Sequence, residues 1–542
     1  MGLTEMMDAV VASLLPENPI YYKKSKFIND PLWGNIVVFP HELSILDTPL
    51  LQRLRYIRQT GFTYFTYPTA THSRFEHSIG VMNIATKIFN VLKIQNPSLS
   101  NQTQSRVRLA TLLHDTGHSA FSHTSEEFYS NLEDIKHFQD SNPEYKSKGA
   151  GEIVSHLIVR STPFKIFYEK VYDLYRGDLP SNIEEVANLI IGKPINSDLA
   201  FEADIVSGPL DADKLDYFPR DGRAAGIDVS IDIDRLINCL EIQETRFVRN
   251  APRKSLVLNR RGYNALQQLL FARATLTASV YHHHKVRACD CMLKNILKYY
   301  LDNRLNFKQC KNNPEGIDLR FTPNYLLITD LDLKSEIDNF STGEFVYEGL
   351  NGLFNRKLLK RVLKISLNTI TTDGERGTQS KLDDIKSNLS QFQTLRKKPA
   401  ELQKVLDAII DESGSGLTSY DAAIDIPHKP SFEKAGIASI NTSSNDTPNI
   451  VTLKQVVPIE EWVRGYETYF SHSYIFGPDD RELRIKLAIA AAKVLTAYPR
   501  FRGTSTDLYL NPCIEAVAED IRDDVNKIIV ESGLSLFRLN TS

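Results

Sequence analysis

The sequence predicts a mainly α protein, in which a helical bundle core with small β elements precedes a helix-rich C-terminal region. The stretch 73–92 carries apolar residues at helical spacing, at positions 75, 79, 82, 85, 88, 89 and 92. The stretch 479–499 is a second strong helix candidate. Alternating polarity, which is typical of strands, is confined to short stretches at the margins of the chain.

Composition narrows the class of protein. The chain has 542 residues, 42% of them hydrophobic and 24% charged, as expected of a soluble globular protein with a sizeable core. Its net charge of -3 argues against a general nucleic-acid binder, although it is compatible with a local basic channel for single-stranded nucleic acid. The five cysteines form no CxxC pair, which favours a reducing, cytoplasmic location over a disulfide framework. No apolar run is long enough to predict a membrane span.

Caps and glycines divide the first half of the chain into helices. An amphipathic helix is expected at the N-terminus, and the alternation over 20–40 predicts a hairpin. Pro49 in a first turn and Gly61 as a stop predict a helix over 46–61. Further helices are expected at 105–117, 150–160, 183–192, 210–218, 231–241 and 260–300.

After residue 300 the sequence becomes more charged. We expect helices within 324–337, 356–368 and 380–410, and a short strand within 411–431. The stretch 441–449 has the composition of an exposed loop. We divide the chain into an N-terminal segment, a core and a C-terminal region for packing and oligomerisation, with the ranges 1–40, 41–300 and 301–542.

Four polar residues stand out as candidate metal ligands: His77, His114, Asp115 and Asp213. Imidazole nitrogens and carboxylate oxygens suit a divalent first-row metal ion. The helix that ends near 116 can present His114 and Asp115 toward one point, and the other two ligands would arrive on two further helices, as in the metal sites of helical bundles. A single His-Asp pair also occurs by chance, so the prediction depends on all four residues.

The segments around these residues resemble those of the HD-domain superfamily. Within it they resemble the branch of deoxynucleoside triphosphate triphosphohydrolases that includes the bacterial dGTPases and enzymes that join a sterile-alpha-motif domain to an HD domain. The resemblance covers about residues 40–290 and rests on "LDTPLLQRLRYIRQTG", "PTATHSRFEHSIGV", "LLHDTGHSAFSH", "LDADKLDYFPRD" and "VYHHHKV". It identifies 41–300 as an HD phosphohydrolase core.

The resemblance implies hydrolysis of a deoxynucleoside triphosphate to a deoxynucleoside and tripolyphosphate. One divalent ion, Mn²⁺, Mg²⁺, Fe²⁺ or Zn²⁺, would hold the α-phosphate and orient or acidify the attacking water. In a cell such an enzyme would control dNTP pools, including during phage or viral DNA synthesis. The resemblance further implies a dNTP or GTP effector and a homo-oligomer, a tetramer or hexamer built from dimers.

The resemblance also assigns roles to individual residues. His118 and His123 would handle protons, and Glu126 would orient a catalytic histidine. The implied substrate contacts are Arg74, Lys214 and Tyr217 for phosphate, Gln59 and Asp221 for the 3'-hydroxyl, Arg273, one residue out of register, and His282 in the nucleotide pocket. An effector site is implied at Asp47, Arg55, His284 and Lys285, although Asp47 and Arg55 would serve equally as a helix cap and a helix ion pair.

Two departures from the family keep other functions open. Lys146 stands where the family has an active-site histidine, so it either binds phosphate as a cation or leaves the chemistry to His123. Thr60 follows Gln59 where the family often has Leu, which leaves the selectivity for deoxyribose over ribose unsecured. The alternatives are an HD-type phosphodiesterase or nucleotidase acting on another nucleotide or phosphoester, and a nucleotide or nucleic-acid binding module with an inactive site.

Overall fold

A computed structural model of the protein describes residues 2–245, 252–308, 315–370, 379–427, 438–443, 448–456, 472–497 and 512–533. The described chain is mainly α-helical with small β elements, as predicted. Its contacts divide it into two compact units that alternate along the sequence. Among the described residues, no helix is both long enough and apolar enough to cross a lipid bilayer.

The first unit contains all the described helices that precede residue 277, together with the segment 304–339 and two short strands near 440–452. Its helices are α1 (Leu3–Ser13), α2 (Pro40–Leu46), α3 (Pro49–Gln52), α4 (Arg74–Gln95), α5 (Asn101–Leu113), α6 (His123–Tyr129), α7 (Glu133–Ser141), α8 (Ala150–Arg160), α9 (Thr162–Leu174), α10 (Ile183–Ile190), α11 (Ala200–Ser207), α12 (Ala212–Ala225), α13 (Ile233–Asn238), α14 (Tyr263–Leu276) and α16 (Asp330–Ser335).

Helix α4 is the centre of the first unit and packs against α5 and α12. Every apolar position that predicted this helix is buried, from Phe75 and Ile79 through Phe89 and Leu92. The Ser73 hydroxyl caps its N-terminus by accepting the Glu76 N–H. The prediction of this helix from its 3.6-residue spacing is therefore confirmed.

The β elements of the first unit are small. Strands β1 (Lys26–Asp30) and β2 (Gly34–Val38) pair antiparallel, which confirms the predicted hairpin. Strands β3 (Leu240–Thr245), β4 (Arg253–Asn259), β7 (Ser439–Asn441) and β8 (Ile450–Thr452) form a sheet in that order, with β4 and β7 parallel. Residues 444–447 of the predicted loop 441–449 lie outside the described residues.

The second unit contains α15 (His284–Asp302), α17 (Phe345–Phe354), α18 (Gln379–Thr394), α19 (Pro399–Ser413), α20 (Arg481–Ala497) and α21 (Arg522–Ser532). Its sheet has the order β5-β9-β6, with strands β5 (Lys360–Ile365), β6 (Ala423–Asp425) and β9 (Ser473–Gly477) all antiparallel to their neighbours. Strand β6 confirms the short strand expected within 411–431.

Three helix predictions were wrong in extent or type. The stretch 356–368 holds strand β5 instead of a helix, because its Leu363 and Ile365 pair with β9 more than 100 residues later. The predicted helix 46–61 is broken into α3 and a 3₁₀ turn at Arg53–Tyr56, because the Gln59 N–H bonds the His72 carbonyl instead of continuing a helix. The predicted helix 260–300 is interrupted at Thr277–Tyr281 by a π-helical turn.

Candidate metal centre

Three helices bring the four predicted metal ligands together. His77 lies in the first turn of α4, His114 and Asp115 follow the last residue of α5, and Asp213 lies in the first turn of α12. The start of α12 is fixed by Asp211, whose carboxylate accepts the Lys214 N–H at 3.0 Å. Because α4 packs against both α5 and α12, the helix ends that carry these residues meet.

The four side chains converge on one point. Asp213 Oδ1 lies 2.9 Å from His77 Nε2 and 3.6 Å from His114 Nε2. Asp115 lies 3.6 Å from His77 Nε2 through Oδ2 and 3.4 Å from His114 Nε2 through Oδ1. His77 is fully buried, while Asp213 is partly exposed, so the site is open on one side.

This donor set fits a divalent metal ion. Two imidazole nitrogens and two carboxylate oxygens are ligands that first-row divalent ions accept, and the open side leaves room for water or substrate. His114 Nδ1 is 2.6 Å from the Thr111 carbonyl, so it carries the proton and leaves Nε2 as an acceptor. That buried Nε2 has no hydrogen-bond partner, as expected of an atom that is placed for a metal ion.

Asp216, which the sequence reasoning missed, orients His77 from behind. Its Oδ2 lies 2.8 Å from His77 Nδ1, and its carboxylate is fully buried against the Arg220 guanidinium. Gly80 makes the approach feasible, since a Cβ there would lie 2.1 Å from Asp216 Oδ1. The spacing of Asp213 and Asp216, three residues apart on one helix face, was the available signal.

The charges of the centre stabilise one another. Burial alone would lower the pKa of His77, but hydrogen bonds to Asp213 and Asp216 raise that pKa to about 10. Burial would raise the pKa of Asp213, but the adjacent imidazoles of His114 and His77, 3.6 Å and 2.9 Å away, hold that pKa below its usual range. The centre is therefore an ionised cluster of carboxylates and imidazoles, in which a metal ion would replace protons.

Arg74 reaches the centre from the first residue of α4. Its Nη1 donates to Asp115 Oδ2 at 2.6 Å and its Nε donates to the Ser122 hydroxyl at 2.8 Å. The guanidinium is buried, yet its Nη2 has no hydrogen-bond partner. One donor of Arg74 is therefore unused beside the predicted metal ligands.

His118, His123 and Glu126 form a second cluster next to the first. His118 Nε2 lies 3.4 Å from Asp115 Oδ1, and the carboxylate of Glu126 lies between the two histidines, 2.8 Å from His123 Nδ1 and 3.6 Å from His118 Nδ1. Burial alone would raise the pKa of Glu126, but the nearby His118 and the hydrogen bond to His123 lower that pKa to about 2. His118 is buried, whereas the His123 side chain is 75% exposed.

The predicted sugar-binding residues are also brought together. Asp221 Oδ1 lies 2.7 Å from Nε2 of His72, a residue the sequence reasoning did not select. The His72 carbonyl accepts the Gln59 N–H at 3.0 Å, and the buried Gln59 Oε1 has no hydrogen-bond partner. The Thr60 hydroxyl is likewise buried without a partner. This group offers polar atoms for a ligand hydroxyl.

The predicted phosphate-binding residues Tyr217, Lys214 and Lys146 differ in their surroundings. Tyr217 lies with its ring 6.4 Å from that of His77, and burial, partly offset by Arg273, raises the pKa of its hydroxyl. The Lys214 ammonium is held at its own helix end by the Gly208 carbonyl and the Asp211 carboxylate. Lys146 is exposed, in the turn that follows Pro143–Tyr145.

The predicted effector residues Asp47 and Arg55 have partners within the first unit. Asp47 accepts the Tyr22 hydroxyl at 2.5 Å and the Gln52 amide at 3.3 Å. Arg55 donates to Gln52 Oε1 at 2.8 Å and stacks on the Phe75 ring. The Tyr22 bond to Asp47, together with burial, raises the pKa of Tyr22 to about 12.

The remaining predicted residues lie in the second unit. His282 is half-buried and its N–H bonds the Thr277 carbonyl. His284 and Lys285 begin α15 and line a cavity of about 280 Å³ within this unit. Its other charged lining residues are Arg356, Lys360, Arg361, Arg484, Glu519 and Asp520. Cations therefore outnumber anions around this cavity.

Two family models match ranges of this chain. Residues 74–190 match the HD domain and residues 231–459 match the HD-associated region. Three of the four candidate ligands lie within the first match, and Asp213 lies between the two.

Two of three similar proteins carry the name of the same enzyme. The chain is 32% identical over 276 residues to a deoxynucleoside triphosphate triphosphohydrolase SAMHD1 homolog of Dictyostelium discoideum, over 50% of this chain and 48% of that protein. It is 32% identical over 294 residues to human SAMHD1, which bears the same enzyme name, over 51% of this chain and 44% of that protein. It is 31% identical to the uncharacterized protein MJ1154 of Methanocaldococcus jannaschii, over 56% of each chain. The chain spans about half the length of the curated relatives it matches.

Proposed function

We propose that this chain, a member of the HD-domain superfamily, hydrolyses deoxynucleoside triphosphates to deoxynucleosides and tripolyphosphate with the help of a divalent metal ion. The observation that carries the proposal is the convergence of His77, His114, Asp115 and Asp213 from three helices, beside a buried arginine with one unused donor. The names of two relatives supply the substrate class.

The roles of the chain's own residues follow from their positions. His77, His114, Asp115 and Asp213 would hold the metal ion, which supplies Lewis-acid stabilisation of phosphate charge and lowers the pKa of water. Arg74 would bind a phosphate oxygen through its free Nη2, in a buried setting where a fixed charge is most effective. Tyr217, whose ring lies beside that of His77, and Arg273, which is near Tyr217, would add further phosphate contacts.

Proton transfer is assigned to the second cluster. His123 is exposed and held by Glu126, so it can meet the leaving group and protonate it. Glu126 keeps its charge at all assay pH values because its pKa is about 2, and it would stabilise an imidazolium next to it. His118 would bridge this cluster to Asp115.

Gln59 and Asp221 would bind the 3'-hydroxyl, with His72 fixing the Asp221 carboxylate. The unpartnered Thr60 hydroxyl could also accept or donate to a 2'-hydroxyl, so a ribonucleotide would be rejected less strongly than by an apolar wall. Lys146 is exposed and would act on the phosphate chain as a mobile cation.

The decisive experiment incubates the purified chain with each dNTP and each NTP, alone and in pairs, in Mn²⁺ or Mg²⁺, and identifies the products. Tripolyphosphate with a nucleoside supports the proposal. Release of orthophosphate or pyrophosphate, or cleavage of a cyclic nucleotide or phosphodiester only, would assign the chain to the phosphodiesterase or nucleotidase alternative. Binding without turnover of any of these would assign it to the inactive binding module.

We also propose that the cavity of the second unit binds the phosphates of a nucleotide effector. The excess of cations around it supports an anionic ligand, and His284 and Lys285 lie at its rim. Replacing Lys285 and Lys360 by Ala should weaken activation by an added nucleotide, whereas replacing Lys404 on α19, which does not line the cavity, should leave it unchanged. Light scattering with and without dGTP tests the proposed tetramer or hexamer.

A further inference from the structure

The loop that carries the two proposed proton-transfer histidines has an unfavourable backbone. Phe121 and Ser122, consecutive residues with side chains, have φ values of 54° and 53°. Residues other than glycine rarely adopt this left-handed region, and two in a row persist only when surrounding contacts impose them. The two residues immediately precede His123 and follow His118 by three and four positions, so their conformation sets the direction in which both imidazoles point.

A carboxylate from a distant part of the sequence makes those contacts. Asp330 Oδ1 accepts the Phe121 N–H at 2.7 Å, and its Oδ2 accepts the Arg58 N–H at 3.0 Å. The Arg58 guanidinium lies 3.6 Å from the same Oδ2. Asp330 is only 4% exposed, so these hydrogen bonds are shielded from water.

The two segments that Asp330 joins are also bonded to each other. The Ser122 hydroxyl donates to the Arg58 carbonyl at 2.5 Å and accepts from Arg74 Nε at 2.8 Å. The Ser119 hydroxyl donates to the Tyr325 carbonyl at 2.7 Å, which is a second link between the loop and the segment that precedes α16. Apart from Arg74, these partners of the loop 118–123 lie outside the HD match.

Asp330 does not use its charge to cap its own helix. An aspartate at the start of a helix usually stabilises the free N–H groups of the first turn. In α16 that task falls to Asp332, which accepts both the Thr329 N–H at 2.8 Å and the Thr329 hydroxyl at 2.7 Å. Both oxygens of Asp330 accept hydrogen bonds from other segments, so Asp330 stabilises contacts between segments and not the N-terminus of its own helix.

We propose that Asp330 is a positioning residue for the reaction: it holds Phe121 in the left-handed conformation and thereby aims His118 and His123 at the metal centre. The inference rests on the proposed function for its kinetic consequence, but the hold on the loop is a property of the fold. Burial raises the pKa of Asp330 to about 6, although the hydrogen bonds from the Phe121 and Arg58 N–H groups and the charges of Arg58 and Arg74 partly offset this rise. The carboxylate is therefore ionised in an assay at pH 8.

The test compares Asp330→Asn with Asp332→Asn in the full chain. An amide at 330 keeps one acceptor oxygen and turns an NH₂ toward a backbone N–H, so one of the two bonds is lost. We expect Asp330→Asn to lower kcat about tenfold or more while KM changes less than threefold, since the metal and nucleotide contacts remain. Asp332→Asn removes a carboxylate charge from the same helix and should lower Tm but change kcat less than twofold.

A readout without substrate follows the loop itself. Hydrogen exchange of a peptide spanning 116–124 should accelerate in Asp330→Asn and not in Asp332→Asn, because an amide can accept from only one of the Phe121 and Arg58 N–H groups and no longer ties the two segments together. If wild-type protein turns over no dNTP, the proposed function fails. Hydrogen exchange of the same peptide then still measures whether Asp330 restrains the loop. Unchanged exchange, or faster exchange with kcat within twofold of wild type, would overturn the positioning role.

A second variant covers the case in which Asp330→Asn does not fold. Ser119→Ala removes the hydroxyl link to Tyr325 and leaves Asp330 in place. It should raise exchange in the same peptide and lower kcat in the same direction by about twofold to fivefold. Wild-type exchange and wild-type kcat in a folded Ser119→Ala protein would contradict the proposal.

Discussion

His77 Nδ1 and Asp216 Oδ2 lie 2.8 Å apart in the fully buried back of the metal centre. Since the ionised Asp216 can only accept, Nδ1 donates to it, and Nε2 faces Asp213 and Asp115, where a bound metal ion would replace the proton that Nε2 shares with Asp213. Carboxylates behind a metal-binding histidine fix its tautomer and orientation and raise its basicity.

Asp216→Asn should weaken metal binding by about tenfold to a hundredfold, because the amide no longer fixes the imidazole. Mn²⁺ titration by calorimetry at pH 7.5 measures this directly. Asp30→Asn is the matched control, since Asp30 bonds the same Arg220 but does not touch His77. Equal affinities in the two variants would argue that Asp216 serves the fold alone.

Removal of the proposed ligands should abolish turnover. His114→Ala or Asp115→Ala removes a ligand of the ion that stabilises phosphate charge, which corresponds to a loss of about a thousandfold or more in kcat. Metal content by mass spectrometry and tripolyphosphate release are measured together. His137→Ala, at an exposed histidine of α7, should retain both. Retained activity in the ligand variants would place the chemistry elsewhere.

Arg74→Lys should lower kcat/KM by about a hundredfold to a thousandfold. Lysine keeps the charge, but its three N–H donors radiate from one nitrogen and cannot reach Asp115, Ser122 and a phosphate at the separate positions that the planar guanidinium occupies. The control is Arg108→Lys, at a buried arginine that bonds Glu42 away from the centre. That variant should lower Tm and leave KM close to wild type, so a similar kinetic loss in both would indicate a structural effect.

Glu126→Gln should reduce kcat about tenfold to a hundredfold and move the basic limb of the pH–rate profile to lower pH, because the general acid His123 loses its proton more easily. The carboxylate is ionised throughout the assay range, and a neutral amide no longer stabilises an imidazolium beside it. Glu127→Gln, the next residue along α6, changes charge equally and should leave the profile in place. A profile that does not move in Glu126→Gln contradicts the assigned role.

His156 should make the fold less stable in mild acid. Burial lowers the pKa of His156 to about 4, so the unfolded chain takes up its proton near pH 6.5 and the folded chain does not. Its stabilising contribution is therefore complete above pH 6.5 and is lost as the pH falls toward 4, by about 2–3 kcal/mol at most.

Asn at position 156 does not titrate and keeps an acceptor near the Tyr145 hydroxyl, which lies 2.8 Å from His156 Nδ1. The fall in Tm between pH 7.5 and 4.5 should be smaller in His156→Asn than in wild type. His137→Asn, at an exposed position, should match wild type. An equal fall in all three proteins would exclude His156 as the cause.

The sequence was sufficient where local spacing decides structure. The α4 pattern alone places Phe75, Ile79 and Phe89 in the core, and the motif residues His77, His114 and Asp115 meet because α4 and α5 pack together. It was insufficient where distant pairing decides. The stretch 356–368 has helix-forming Leu and Lys, yet its hydrogen bonds to β9 make it a strand, since β structure depends on its neighbours more than on its residues.

The residues that support the centre were hidden for the same reason. Asp216 and His72 look like ordinary polar residues until α4 and α12 are packed, and only then does each lie against a partner of known role. Asp330 is more than 200 residues from Phe121, and no spacing rule connects them. Second-layer contacts are set by tertiary packing, which the sequence periodicity does not encode.

The carboxylate of Asp115 faces four neighbours, with Oδ1 toward His114 and His118 and Oδ2 toward Arg74 and His77. A cation that settles beside Asp115 competes with the guanidinium for the same negative charge. Asp115 would then neutralise less of the Arg74 charge and leave more of it for a phosphate at Nη2, so the ion and the nucleotide should bind cooperatively. Without the ion, Asp115 would continue to neutralise the charge of Arg74, and we expect the nucleotide to bind more weakly.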